Sequence, residues 1–463
     1  MTRLWIITLL ISVACSAAMA QDATDDAPEQ LAHAWTLQLG GDGTDRGQDL
    51  AIGEDGAIYI CGYTATQLTD EDAHGGYDGF ISKVSADGDP EWTVQVGTAA
   101  TDQADKIWLN GDKLFVAGVT GGGLYGQHVS HGGCNCPVVN IWIAQFDLNG
   151  TEVWSSQFGL RDDLHLSGLL TDSEGNAYLY GYAETTMPGS ESMGGRDMFV
   201  LKYDSDGDLE WSKNFGRENT DTASEFLIGE DDTLYLIGQT TSEWETPVAN
   251  GDDGDLLILA IDTEGEELWA RQYGSSRQEW PWDAKLDATT GDIYIVGYSD
   301  GDLIGDPRGG SDGFILALDG EGYWLWADAI TTPATDFATT VTQKDDGSLI
   351  VCGVTDGTLE GPVVGAKDMF IVEYTPDGTR VSELQYGSVS QNSFSLRERL
   401  MQENIAFDSA DQSLYTLGRT RKSLARENTD NSEDIVLVKL QYPSAMPAIE
   451  VPADTPDTQD AQE

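Results

Sequence analysis

Basic residues are scarce. Lysine and arginine together number 24 against 80 aspartates and glutamates, giving a formal charge of −56. A chain of this charge repels DNA, RNA and anionic lipid, so nucleic acid is excluded as a partner. The charge is explained most simply by solubility in a salty or calcium-bearing medium, where carboxylates are screened within roughly 10 Å, with multivalent cation binding as the alternative. Of the 5 cysteines, those past residue 20 leave few pairings open. No apolar run beyond that point is long enough to cross a bilayer, so no membrane span is expected. Gly-x-Ser-x-Gly, a phosphate loop and His-Glu-x-x-His are all missing. These common signatures therefore nominate no catalytic residue.

What the chain does have is a tryptophan at an almost fixed interval. Trp35, Trp92, Trp154, Trp211, Trp269 and Trp326, with Leu384 in the seventh place, are spaced 57, 62, 57, 58, 57 and 58 residues apart. A unit of this length, built of short strands and glycine turns, cannot bury its own apolar face and must pack against copies of itself. In the third unit, residues 166–170, 177–182, 198–203 and 209–215 alternate as strands, separated in part by Asp172-Ser-Glu-Gly175 and Asp204-Ser-Asp206-Gly207 turns. Glycine accepts the positive φ that such hairpin turns require. Second strands end alike, as in Cys61-Gly62-Tyr63-Thr64, Ala117-Gly118-Val119-Thr120 and Cys352-Gly353-Val354-Thr355.

Four antiparallel strands in each of seven units predict an all-β fold, a seven-bladed β-propeller over residues 34–441. The chain's first strand, 34–39, is a fourth strand, and its last complete one, 435–440, is a third. The ring is expected to close by pairing the N-terminal strand onto the last blade, which removes an open sheet edge. Residues 1–20 carry Arg3, an apolar run and Ala18-Met19-Ala20, the layout of a cleavable secretory signal. A lipid anchor at Cys15 is the alternative. Residues 21–33 read as an acidic leader and 442–463 as a disordered acidic tail. An exported protein is expected, extracellular, at the cell surface or periplasmic.

The pattern of Gly-x-x-Asp-x-Phe, Asp-x-x-Gly-x-x-x-Trp and Asp-x-x-Gly-x-x-Tyr-x-x-Gly-x-Thr resembles the bacterial seven-bladed β-propeller (SBBP) repeat family across residues 34–440. That resemblance implies an exported or cell-surface protein and no shared catalytic residues. A weaker similarity to quinoprotein-type propeller repeats rests on turns such as Asp262-Thr-Glu-Gly265 before Trp269, without recognisable cofactor ligands.

Binding is expected on the face that carries the long loops between second and third strands and the links between blades. His128, His131, Cys134 and Cys136 in the lengthened second unit could supply zinc or copper ligands, form a Cys134–Cys136 disulfide, or be an incidental polar loop. Cys61 and Cys352 are too far apart around the ring to bond, and are expected as buried thiols. Asp70, Glu71 and Asp72, Asp252 and Asp253, and Asp300, Asp302 and Asp306 offer oxygens for calcium or are simply solvated loops. Asp78, Asp197, Asp255, Asp312, Asp368 and Asp434 recur at third-strand starts, which favours a scaffold role in capping loop amides. The repeat tryptophans are expected as wedges between blades. Trp280 and Trp282 fall in the connection to the fifth blade, where they could stack on a ligand such as a sugar ring or peptide proline, or where one ring packs inward while the other covers the rim. His165 lacks an identifiable acid–base partner.

The functional expectation is a monomeric, non-catalytic scaffold that binds a protein, peptide or glycan. A cation-dependent surface-layer or adhesion component, and a hydrolase, lyase or quinoprotein-like enzyme with an axial site, are the alternatives.

Overall fold

A computed structural model describes residues 32–69, 74–126, 139–160, 164–190, 194–229, 231–244, 254–359, 368–386, 405–408, 413–420 and 433–441. The described chain is all strand and turn, because its short apolar stretches are cut every few residues by Asp-x-x-Gly reversals. Asp204 shows how: its Oδ1 accepts the N–H groups of Asp206 and Asp208 while Gly207 takes φ +89°. The strands form seven four-stranded antiparallel sheets. In blades one to six the chain runs from the innermost strand outward, and the fold is a seven-bladed β-propeller.

The first, innermost strands are Asp45–Ile52, Asp102–Asn110, Leu164–Thr171, Asp221–Ile228, Glu279–Leu286, Asp336–Gln343 and Ile405–Asp408. Second and third strands are buried on both faces, as in Ile58–Thr64 and Asp197–Tyr203. Alternation along a strand sends the two faces to different neighbours. Ile58 and Ile60 pack toward blade seven with Tyr415 and Leu437, whereas Tyr59 and Cys61 pack toward blade two with Leu114 and Trp142. Apolar clusters of this kind occupy every joint between adjacent blades. Each fully buried Ile or Leu there contributes roughly 1.5–3 kcal/mol.

The N-terminal strand Ala32–Leu39 pairs antiparallel with Asp434–Gln441, with Trp35 opposite Lys439 and Leu39 opposite Ile435. It supplies the outer strand of blade seven. At this seam Glu433 accepts hydrogen bonds from Arg46 Nε at 2.8 Å and Arg419 Nη1 at 2.6 Å. Burial works against its charge, but the two guanidiniums hold its carboxyl below the ordinary value.

Each repeat tryptophan lies on the turn glycine of the next blade. A Cβ added at Gly88 would come within 2.9 Å of the Trp35 ring, and one at Gly207 within 2.5 Å of Trp154. Trp35, Trp92, Trp211 and Trp326 also donate from Nε1 to turn carbonyls of the following blade, those of Ala86, Leu148, Thr263 and Pro376. Trp269 packs on Gly322 in the same way. The seventh place belongs to Ser382, not Leu384. Ser382 sits opposite Glu373 as Trp92 sits opposite Lys83, while Leu384 is buried in the joint between blades six and seven. A two-residue slip was invisible in the spacing because no seventh tryptophan fixed the register.

Candidate functional site at the axis

The innermost strand of each of the first six blades carries a bulge at the same step. Register shifts fall between Gly47 and Asp49, Ala104 and Lys106, Leu166 and Gly168, Ala223 and Glu225, Pro281 and Asp283, and Ala338 and Thr340. The recurring second-strand glycine makes room for it. A Cβ on Gly62, Gly118, Gly181 or Gly238 would sit 1.8–1.9 Å from the carbonyl oxygen of Arg46, Gln103, His165 or Thr222. A bulge re-aims the extra side chain. Here the extra residues are Gln48, Asp105, Ser167, Ser224, Trp282 and Thr339, and all six line one cavity of about 540 Å³ at the axis.

Val119, Val139, Leu164, His165, Tyr182 and Trp280 line the same cavity. These residues stand at the starts of first and third strands or the ends of second strands, which places the cavity at the loop-bearing face. Trp280 and Trp282 therefore do not lie in a connection, as the sequence suggested, but within the innermost strand Glu279–Leu286. Pro281 is tolerated there because the strand is an edge and Pro281 adjoins the bulge. Trp282 packs edge-on against Tyr298 and Phe337, with ring centroids 5.3 and 5.2 Å away. His165 is exposed and stacks nearly flat on Tyr182 at 4.6 Å.

A polar latch closes the loop face of most blades. Thr64 donates to Asp45, Thr120 to Asp102, Thr240 to Asp221 and Ser299 to Glu279. The same carboxylates accept the N–H four residues upstream, that of Gly41 onto Asp45 and of Thr98 onto Asp102. Blade three replaces both partners with Leu164 and Ala183, and this apolar substitute forms part of the cavity wall. The departures of blades three and five from the repeat thus meet at one place. The missing Thr at Ala183 is the signal that sequence reading overlooked.

Carboxylates ring the channel just inside the bulges. Asp49 accepts the N–H groups of Leu50 and, across the blade joint, Ile107; Asp283 repeats this with Ala284 and Val341. Glu225 accepts from the Phe226 N–H and the Tyr180 hydroxyl. Poor solvation inside the ring pushes the carboxyls of Asp49, Glu225 and Asp283 up, and repulsion from Asp283 adds to the rise at Glu225. Asp105 is pushed up to about 6 by burial, against the hydrogen bond from Gln48 and the charge of Lys106.

The third-strand aspartates stay in their separate blades. Asp78 accepts from the His74 N–H and from Gln95, Asp312 from the Arg308 N–H, Asp255 from Gln272, Asp368 from Gln385 and Asp434 from Gln38. Asp197 is buried at the matching place. Asp300 accepts from the Ser311 hydroxyl, while Asp302 and Asp306 are exposed. Among the described residues, no three His, Cys, Asp or Glu side chains are grouped to hold a metal ion. His128, His131, Cys134, Cys136, Asp70, Glu71, Asp72, Asp252 and Asp253 lie outside the described residues. Cys61 and Cys352 are buried free thiols, the latter raised to about 12 by burial. No described helix is long and apolar enough to cross a membrane.

No protein-family model matches the chain. The regulatory protein FlaEY of Caulobacter vibrioides is 26% identical over 172 residues, covering 33% of this chain and 18% of that protein. The match therefore spans less than a fifth of the relative's length. Among solved structures, the chain is similar to a fungal alcohol oxidase of the AA5 family in complex with copper, at a TM-score of 0.46 and 12% identity over 88% of this chain and 76% of that one. It is also similar to phage phi92 endosialidase, at a TM-score of 0.39 and 10% identity over 89% and 70% of the two chains. Neither likeness transfers an activity.

Proposed function

We propose that the protein is an exported, non-catalytic binding scaffold whose ligand sits at the loop-face mouth of the axial channel. The observation that carries this reading is the convergence of two irregular blades, three and five, on one cavity walled by Trp280 and Trp282. A rigid ring with aromatic anchors in an irregular hollow suits recognition. The surrounding groups suit chemistry less well. Asp49 and Asp283 are engaged by backbone amides, and His165 lies flat on Tyr182 rather than against a nucleophile. Export rests on the basic, then apolar, then small-residue layout of residues 1–20 and on the resemblance of the repeats to SBBP-type proteins.

The test combines fractionation with native mass spectrometry. The full chain is expected in the envelope or medium with an N-terminus at Gln21, and to retain an envelope-derived ligand that the Trp280→Ala variant loses. An uncleaved cytoplasmic protein contradicts export, and turnover of the retained molecule contradicts the non-catalytic role.

A further inference from the structure

The bulged ring also indicates what kind of molecule the cavity takes. We infer that it holds the terminal pyranose of a neutral saccharide, an inference that rests on reading the axial cavity as a binding site. Five of the six bulged side chains, Gln48, Asp105, Ser167, Ser224 and Thr339, are short and polar, and all stand at one level around the axis. Gln48 already donates to Asp105, the Ser167 hydroxyl to the Ala223 carbonyl and the Thr339 hydroxyl to the Cys352 carbonyl, so the ring presents chiefly acceptor oxygens, which match a flat ligand whose hydroxyls radiate outward and donate. A pyranose is such a ligand: its hydroxyls point away from the ring and its C–H faces are apolar. Trp280, two residues nearer the loop face than the bulge at Trp282, offers an aromatic surface for one of those faces.

Charge decides between neighbouring chemistries. Asp49, Asp105, Glu225 and Asp283 make the channel acidic, so uronates, sialylated sugars and phosphates meet repulsion. An organic cation fares less well than the acidity suggests. Lys106 itself lines the cavity and brings a positive charge beside Asp105, and Trp282 is engaged by Tyr298 and Phe337 instead of closing an aromatic cage. A proline-rich peptide needs a groove open at both ends, whereas this hollow is walled by strands from six blades.

Isothermal titration of the full-length exported protein tests this against neutral gluco-, galacto- and manno-configured oligosaccharides, their uronate or sialylated counterparts, tetramethylammonium and a proline-rich peptide. Binding of a neutral saccharide is expected, at least about tenfold weaker in Trp280→Ala and unchanged in Trp324→Ala on the outer strand of blade five. Ser224→Tyr, which fills the cavity without removing a tryptophan, is expected to abolish it while leaving the melting temperature within a few degrees. Failure of every neutral saccharide at millimolar concentration, or binding indifferent to both cavity variants, overturns the inference. Cavity-dependent binding of tetramethylammonium or the peptide alone overturns the saccharide but leaves the scaffold reading standing. Release of reducing sugar, lost in Trp280→Ala, overturns the non-catalytic reading and keeps the saccharide.

Discussion

Gly207 answers to two demands at once. Its φ of +89° suits glycine, and an added Cβ would come within 2.5 Å of the ring of Trp154, which stands on the outer strand of blade two. Gly111 has φ +58° but open space around its missing side chain. Gly207→Ala is therefore expected to cost about 3–4 kcal/mol, backbone strain plus overpacking, and Gly111→Ala only about 1. Urea unfolding of the two variants measures the difference, and equal losses would remove the role assigned to the tryptophan. The sequence shows Asp-x-x-Gly-x-x-x-Trp within a unit. It does not show that each glycine meets the tryptophan of the preceding unit, since that contact exists only once the ring has formed.

At the scale of the strand, the Gly-x-Thr ending joins scaffold to site. Its glycine admits the inner-strand bulge and its threonine closes the latch. Thr120→Val removes the hydroxyl donor to buried Asp102 and is expected to cost about 2 kcal/mol, read as a lower melting temperature with the fold retained. No change would mean that the Thr98 amide and hydroxyl suffice for Asp102. Blade number, strand order and ring closure were legible because hairpin turns and alternation are local signals. The position of Trp280 and Trp282 was not. Pro281 and two large rings break the alternation of a strand, and only the register with Ile293–Ser299 shows them aligned with Arg46 and Gln48 of blade one. The cavity was hidden for a related reason, since its wall takes single residues from strands more than fifty positions apart.

For the whole molecule, buried carboxylates set the response to pH. Glu279, fully buried, is raised to about 7 by burial, and Asp105 to about 6, with Glu225 and Asp283 raised as well. The native state holds these protons more tightly than the unfolded chain, so their contribution is complete below the unfolded pKa and lost as pH rises through 6 to 7. Glu279 alone accounts for roughly 3 kcal/mol. Glu433 acts oppositely: its lowered carboxyl stabilises the seam above the ordinary glutamate range and loses that effect in stronger acid. Stability is expected to peak near pH 5 and to fall toward pH 8. Surface repulsion in a chain of charge −56 gives the same direction, but 1 M salt screens it within about 3 Å. Melting curves in high salt that keep the decline support the buried carboxylates, and a flat profile there contradicts them.

Crystals of the protein soaked in a neutral saccharide show directly whether the irregular blades build a ligand site. Density for a pyranose between Trp280 and the ring of Gln48, Asp105, Ser167 and Ser224 is the expected result. Density confined to the outer strands or the hairpin-turn face, with the axial cavity empty of sugar, would contradict it.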